Sequence, residues 1–282
     1  MSFYNYLIHS RKTIRTAGIY NNYVDHYLSW MEDQGVKTHN YNNLFSYVEH
    51  CKSTGAAAVY IQRRISVLKQ YFNYLKLEEN PAEQIALKGI TRKLPLSPLS
   101  EDQLKRLYDS YPDIGLTGKR NKIMLGLMIY QALGVNTLKA LEVEHVDLTN
   151  GTIYAPGSKQ SSDRTLDLQV FQLLSLQDYL LKTRPLILQE STIKQTSQLL
   201  VTKGTHNIGN PLHLMKPSLK KILPMFQNAN HLRTSRIHHW VKTEGLRKAQ
   251  YKAGHRYVSS TERYKSAYLE ELKDKLTLHH PF

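Results

Sequence analysis

The stretch Ala253-Gly-His-Arg-Tyr-Val-Ser-Ser-Thr-Glu-Arg-Tyr264 decides how this chain is read, because its histidine, its last tyrosine and an upstream arginine, Arg233, share one chemistry. A phenol with a pKa near ~10 is a poor nucleophile at neutral pH. It attacks a phosphodiester only where its proton is removed and the phosphate charge is neutralised. Arg233 can fork onto two non-bridging phosphate oxygens, and His255 can donate a hydrogen bond to a third or handle a proton. The chain carries 19 tyrosines, so a tyrosine alone means little. Tyr264, nine residues after His255, and Tyr268, one helical turn later, are the candidates. Arg256, Arg263 and Lys265 add positive charge around Tyr264.

With 282 residues the chain is long enough for two domains of ordinary size. Its 38 Lys and Arg against 23 Asp and Glu give a net charge of +15, the electrostatic footprint of a nucleic-acid partner. A single cysteine, Cys51, excludes an intramolecular disulfide framework and fits a reducing compartment. No leader-like apolar run opens the chain and no stretch approaches the length of a membrane span, so a cytoplasmic, nucleoid-associated protein is expected. No Asp/Glu cluster or Cys/His array suggests a metal, and no cofactor is expected. The His279-His280 pair reads as tail, and His238 and His239 as helix residues or backbone contacts.

Hydrophobic spacing organises the rest. Ile19, Tyr23, Tyr27, Trp30 and Met31 keep helical periodicity, as do Ile61, Ile65, Leu68, Phe72 and Leu75, with a short helix around Leu44, Tyr47 and Val48 between them. Residues 13–85 therefore read as helical throughout, within a small all-helical domain over 1–85. Asn80-Pro81 stops its last helix. A basic, proline-bearing linker over 86–98 follows, and a further domain covers 99–282. Ser100 and Gln103 form a capping box, and Leu99 can staple onto Leu104. A buried helix spans Asn121 to Ala132 with Gly134 as its stop, and a short helix starts at Thr137. Val143 to Leu148, Ile153 to Pro156 and Arg164 to Leu168 read as three short antiparallel strands joined at Asn150-Gly151 and at 157–162. Helices then resume at Val170 and continue to about Leu278. The fold class is mainly α with a small antiparallel sheet.

This order of elements, and above all the box ending at Tyr264, resembles the tyrosine recombinases of the phage integrase family from about residue 13 to about 275. The N-terminal domain resembles their SAM-like core-binding domain, including Tyr71-Phe-Asn-Tyr-Leu-Lys and Glu79-Asn-Pro-Ala. The C-terminal domain resembles their catalytic domain. Lys159 precedes Arg164 by five residues, as the family's catalytic lysine precedes the arginine that closes its hairpin. An ammonium on a mobile turn can protonate a leaving 5′ oxygen more readily than a guanidinium can.

Two positions depart from the family pattern. Where the first box usually reads Gly-Leu-Arg before a helix bearing a glutamate, this chain has Gly134-Val135-Asn136-Thr137-Leu138-Lys139. Asn136 thus takes the place of a phosphate-binding arginine, with Lys139 the first candidate for a substitute cation and Lys122 and Arg120 poorer ones. Where the family sets a histidine three residues before its second arginine, Asn230 stands. His231 is one residue late and rotated by about 100° on a helix. A register shift that made Arg236 the phosphate ligand is the alternative to Arg233. The 22 residues from Arg233 to His255 keep the assignment to Arg233.

The resemblance implies a site-specific recombinase or integrase that cuts and rejoins double-stranded DNA through a 3′-phosphotyrosyl intermediate, most simply for a mobile element. Tyr264 is then the nucleophile, Arg233 and His255 hold the phosphate, and Lys159 protonates the leaving group. It also implies a homotetramer on two sites, a final helix over 267–278 docked onto a neighbour, and a clamp of two domains round the duplex. The absence of a further arm-site domain implies simple sites. Arg63, Arg64 and Lys69, with Arg92 and Lys93 of the linker, are the candidate DNA contacts outside the site. The departures at Asn136 and Asn230 motivate another reading, a catalytically impaired DNA-binding accessory protein. A type IB topoisomerase is a third, disfavoured by the separate helical domain.

Overall fold

The computed structural model describes residues 1–85, 97–159, 161–204 and 208–265. Residues 86–96 of the expected linker, with Arg92 and Lys93, lie outside the described residues, as do Tyr268, the expected final helix over 267–278 and the His279-His280 pair. The chain divides into two compact units, Met1–Thr91 and Arg92–Phe282.

Four helices make the first unit: α1 (Phe3–His9), α2 (Ile14–Asp33), α3 (Tyr41–Ser53) and α4 (Ala58–Tyr74). Ser2, Thr13 and Asn40 begin the first three, each accepting from a backbone N–H of the first turn. A cap of this kind contributes about 1 kcal/mol. The core is aromatic: Tyr27 meets the rings of Tyr47 at 5.0 Å and Phe72 at 5.9 Å, edge to face. Two boundaries differ from the sequence reading. Helix α1 lies ahead of residue 13, in a stretch too short for its periodicity to register. Helix α4 ends at Tyr74 rather than near Asn80, because the chain turns at Lys76 (φ 56°). It then folds back, so that Asn80 Nδ2 donates to the Lys69 carbonyl (2.9 Å) and to Asn73 Oδ1 (2.6 Å).

The other unit is built round α6 (Gly115–Tyr130), in which every residue from Ile123 to Ile129 is buried. A helix apolar on all sides is a central helix. Ahead of it, α5 (Glu101–Asp109) carries both bonds of the Ser100/Gln103 capping box, and Leu99 and Leu104 are buried in the same cluster. Helix α6 ends at Tyr130 and the chain turns through Ala132 in the left-handed region (φ 49°). Gly134, expected as the stop, instead begins α7 (Val135–Ala140) in extended conformation.

The sheet is an antiparallel meander of β1 (Val146–Asp147), β2 (Thr152–Ala155) and β3 (Arg164–Asp167), with Val146 opposite Ile153 and Ala155 opposite Arg164. Gly151 supplies the positive φ of the first turn (67°), and the Asp147 carboxylate accepts the N–H groups of Thr149 and Asn150. Helix α8 (Val170–Asp178) passes through a π turn over Tyr179–Thr183 into α9 (Arg184–Gln189). Helices do not then continue unbroken. The buried run Leu199-Leu200-Val201 belongs to an extended segment whose backbone exchanges hydrogen bonds with Leu141 and Val143. Helices resume as α10 (Gly209–Ile222), α11 (Ala229–Thr243) and α12 (Leu246–Ala253), with a further helical stretch over 259–265. Among the described residues, no helix is long and apolar enough to cross a membrane.

One face of α11 holds the segment leading into α5. His231 Nε2 donates to the Ser97 carbonyl (2.9 Å), Ser235 Oγ accepts from the Leu99 N–H (2.8 Å), and His239 Nε2 donates to the Leu99 carbonyl (2.7 Å). Residues 231, 235 and 239 share a helix face, which leaves Arg233 turned toward α6 and α12.

Candidate active site

Arg233 reaches between two chain reversals. Its Nη1 donates to the carbonyl of Ala132, the left-handed residue after α6, and its Nη2 to the carbonyl of Ala253 at the end of α12 (2.6 Å). Burial holds its pKa below the ordinary arginine value, with Arg263 adding to the effect and Tyr264 opposing it. Arg236 is spent elsewhere: its Nε donates to the Ile129 carbonyl (2.8 Å) and its Nη1 pairs with Glu101 (2.7 Å). Arg233 and Arg236 thus leave α11 toward different partners.

Gly254 closes α12 in the left-handed region (φ 67°) and sends the chain to His255. A Cβ on Gly254 would lie 2.4 Å from Arg164 Nη1, so this position needs glycine both for its backbone and for space. Nδ1 of His255 shares a hydrogen bond with Thr261 Oγ1 (2.9 Å). Its pKa is pushed down to about 4, first by burial and then by Arg233, Arg263 and Arg164. The ring is therefore neutral at physiological pH.

Arg233, His255, Asn136 and Asn230 line one cavity of about 410 Å³, bounded by the start of α7, the turn after β2 and the first residue of β3. Its lining also holds Ser158, Ser161 and Arg164, and among the described residues no Asp or Glu lines it. Two arginines and a histidine facing one cavity, with no carboxylate among its described lining, make a site for an anion.

Tyr264 does not line this cavity. It is 2% exposed and packs with Ala132, Ile237, Trp240, Val241, Ala249 and Ala253. Its ring stacks on that of His255 (6.1 Å between centroids), and its hydroxyl accepts from Arg263 Nη2 (3.3 Å). The structure thus brings the phenol next to the histidine but behind it.

Lys159 is exposed at the tip of the β2–β3 turn and is not part of the cavity lining. That turn is fastened to the histidine box at two points. Ser161 and His255 form a β-bridge through the Ser162 N–H and the Gly254 carbonyl (3.0 Å), and Arg256 Nη2 donates to the Ser158 carbonyl (2.7 Å).

None of the three cations considered as substitutes for an arginine at Asn136 reaches the cavity. Lys139 is exposed in the last turn of α7. Lys122 donates to the carbonyls of Asp109 and Tyr111, and Arg120 is buried against Asn121 and the Val201 carbonyl. The cation that does line it is Arg164, which the sequence reading used only as the landmark closing the hairpin. The one partial signal is strand alternation, which puts Arg164 on the same face as Leu166, buried in the fold; nothing local places it at the cavity. Asn230 lines the cavity where a histidine was expected, while His231 is turned to Ser97.

In the first unit, Arg63 is exposed beside Tyr60, and Lys69 pairs with Glu83 (3.1 Å). Arg64, expected on the DNA-facing surface, is instead half-buried, with Nη1 on the Cys51 thiol (3.2 Å). Its place on α4 directs it to α3. Among the described residues, no group of three or more His, Cys, Asp or Glu side chains is placed to hold a metal ion.

The sequence of residues 1–79 matches the N-terminal SAM-like domain of phage integrases, and residues 98–271 match the phage integrase family. The chain therefore belongs to the phage integrase family, the tyrosine recombinases, which are DNA strand transferases of site-specific recombination. It is 27% identical over 250 residues to tyrosine recombinase XerC of Pelotomaculum thermopropionicum, covering 83% of this chain and 79% of the relative. It is likewise 27% identical over 282 residues to tyrosine recombinase XerD of Oceanobacillus iheyensis, covering 94% and 92%. Its fold is similar to that of the Tn1549 transposon integrase in complex with transposon right end DNA, with a TM-score of 0.66 at 13% identity over 96% of this chain and 98% of the other.

Proposed function

We propose that this chain is an active integrase of a mobile element that uses Tyr264 as its nucleophile. The observation that carries this reading is the cavity in which Arg233 and His255 meet, with no acidic residue among its described lining and with Tyr264 stacked on the histidine. A scissile phosphate in that cavity receives the Arg233 guanidinium and a hydrogen bond from Asn136 or Asn230. The bound phosphate offsets the arginine charge that holds His255 low, so that its neutral imidazole accepts the phenol proton as the 259–265 segment brings Tyr264 out of its packing. The tyrosyl oxygen bonds to phosphorus, the bond to the 5′ oxygen breaks, and Lys159 gives that oxygen its proton. The phosphotyrosyl ester keeps the bond energy, so a 5′ hydroxyl from another strand can reverse the step without a cofactor. Residues 1–85 serve as the core-binding domain, with Arg63, Lys69, Arg92 and Lys93 against the phosphate backbone. Residues 86–98 form the linker, and 99–282 form the catalytic domain, working as a homotetramer on paired double-stranded sites at the nucleoid.

Nicked duplexes carrying the DNA that flanks the gene test this. Wild type is expected to accumulate an SDS-resistant protein–DNA adduct, and Lys159→Ala to form it about 100-fold or more slowly, the usual range for a lost general acid. Binding with no adduct at any flanking sequence would point instead to the accessory, non-cleaving protein. Relaxation of supercoiled plasmid without site preference would point to a topoisomerase.

A further inference from the structure

The cavity holds more positive charge than the sequence pattern assigns to it. Arg164 and Arg233 come to it from different elements, the first residue of β3 and the middle of α11, yet both are fixed by the same helix end. Arg164 Nε donates to the Lys252 carbonyl (2.7 Å) and Arg233 Nη2 to the Ala253 carbonyl (2.6 Å), the last carbonyls of α12. Free carbonyls at a helix C-terminus carry partial negative charge and orient cations. Arg164 Nη1 is held in addition by the Ser162 carbonyl (3.3 Å). Among the described residues, Nη2 of Arg164 makes no hydrogen bond.

Two features argue that this arginine does more than tie a strand to a helix. Arg164 is 3% exposed, and among the described residues neither its hydrogen bonds nor the cavity lining supplies a carboxylate. An unpaired buried charge is costly and persists where an anion is to be received. Like charge also faces like charge. After burial, Arg233 is the next cause of a pKa lowered to about 10 at Arg164, and Arg164 in turn helps hold His255 low. A negative group between them would relieve that repulsion.

We propose that Arg164 is a second phosphate-binding guanidinium of this site, supplying from β3 the charge that Asn136 does not supply from α7. This rests on the cavity being the phosphate site. Arg164 donates through Nη2 to a non-bridging oxygen while Arg233 serves another. Gly254 is the residue that gives it room, since a Cβ there would meet Arg164 Cζ at 2.9 Å.

Titration of the full chain with inorganic phosphate, followed by 31P NMR at constant ionic strength, tests the assignment. The variants are Arg164→Met, which keeps most of the length without the charge, Arg164→Lys, which keeps the charge, and Arg233→Ala. Far-UV circular dichroism and melting confirm that each is folded. Arg164→Met is expected to weaken phosphate binding about tenfold or more, the effect of one lost charge-assisted contact. Arg164→Lys should stay within about threefold of wild type, and Arg233→Ala should fall as far as Arg164→Met. Equal affinity of Arg164→Met and wild type, with Arg233→Ala weakened, would overturn the role of Arg164 alone. Equal losses in Arg164→Met and Arg164→Lys would also overturn it, by assigning the position to packing. If Arg233→Ala also binds like wild type, the cavity is not the phosphate site and the functional reading falls with the proposal.

On cleavable flanking duplexes, a methylphosphonate at the scissile position removes the charge that a guanidinium neutralises. Arg164→Met should then recover most of its cleavage defect relative to wild type. An undiminished defect on the uncharged linkage would contradict the proposal.

Discussion

At the scale of single residues, the site depends on groups held in unfavourable states. Gly254 is left-handed and abuts Arg164, so Gly254→Ala combines a backbone cost of about 1–2 kcal/mol with a steric clash. A lower urea midpoint at unchanged slope is expected, together with loss of DNA cleavage. His255 gives a pH dependence of defined sign. Its folded pKa of about 4 lies below the ordinary value of 6.5, so its share of stability is intact above pH 6.5. That share is lost as pH falls from about 6.5 toward about 4, where the unfolded chain binds a proton that the folded site refuses. Melting temperatures of His255→Gln should therefore fall less than those of wild type between pH 7.5 and pH 5. His26 and His39, held low by burial in the first unit, contribute alike to both proteins. Identical pH profiles for the two would show that His255 is not held neutral by its surroundings.

At the scale of elements, the β2–β3 turn and the Gly254–Arg256 stretch form one fastened piece, which sets where Lys159 can act. Arg256 is exposed and grips the carbonyl next to Lys159, so Arg256→Ala should leave the fold intact while slowing cleavage about tenfold. A 5′-bridging phosphorothiolate has a leaving group that needs no proton. It should restore both Arg256→Ala and Lys159→Ala, and recovery of Lys159→Ala alone would deny Arg256 its positioning role. Elements whose signals are local were legible in the sequence. Ser100 and Gln103 named their capping box, Asn150-Gly151 its turn, and the apolar run in α6 its burial. Signals that exist only after packing were not. Nothing local distinguishes the left-handed Ala132 from Gly134 as the stop of α6. The run Leu199-Leu200-Val201 suits a buried helix or an extended strip until Leu141 and Val143 pair with it. Arg164 reads as a strand residue until α12 brings its carbonyls to it.

At the scale of the whole molecule, a net charge of +15, of which +12 lies in Arg92–Phe282 and +3 in Met1–Thr91, predicts binding dominated by phosphate contacts. The logarithm of affinity should fall linearly with the logarithm of salt concentration. Arg63→Ala and Lys69→Ala should each reduce that slope by about one while affecting all duplexes similarly. Arg64→Ala, by contrast, should act on stability through the contact with Cys51 and leave the slope unchanged. The family was legible from the box around Tyr264, because it sets chemically specific residues at a defined spacing, and the two-domain plan from the helical periodicity that Asn80-Pro81 ends. The source of the second positive charge was not, because it comes from a strand and a helix end brought together only in the fold.

The central claim is that Tyr264 forms the bond to DNA. The most direct measurement isolates the SDS-resistant adduct on a nicked flanking duplex, digests it, and identifies the nucleotide-bearing peptide by mass spectrometry, with Tyr264→Phe in parallel. The account predicts a single modified peptide containing Tyr264, attached through a 3′ phosphate, and no adduct from the variant. An adduct on another tyrosine, or one that persists in Tyr264→Phe, would contradict it.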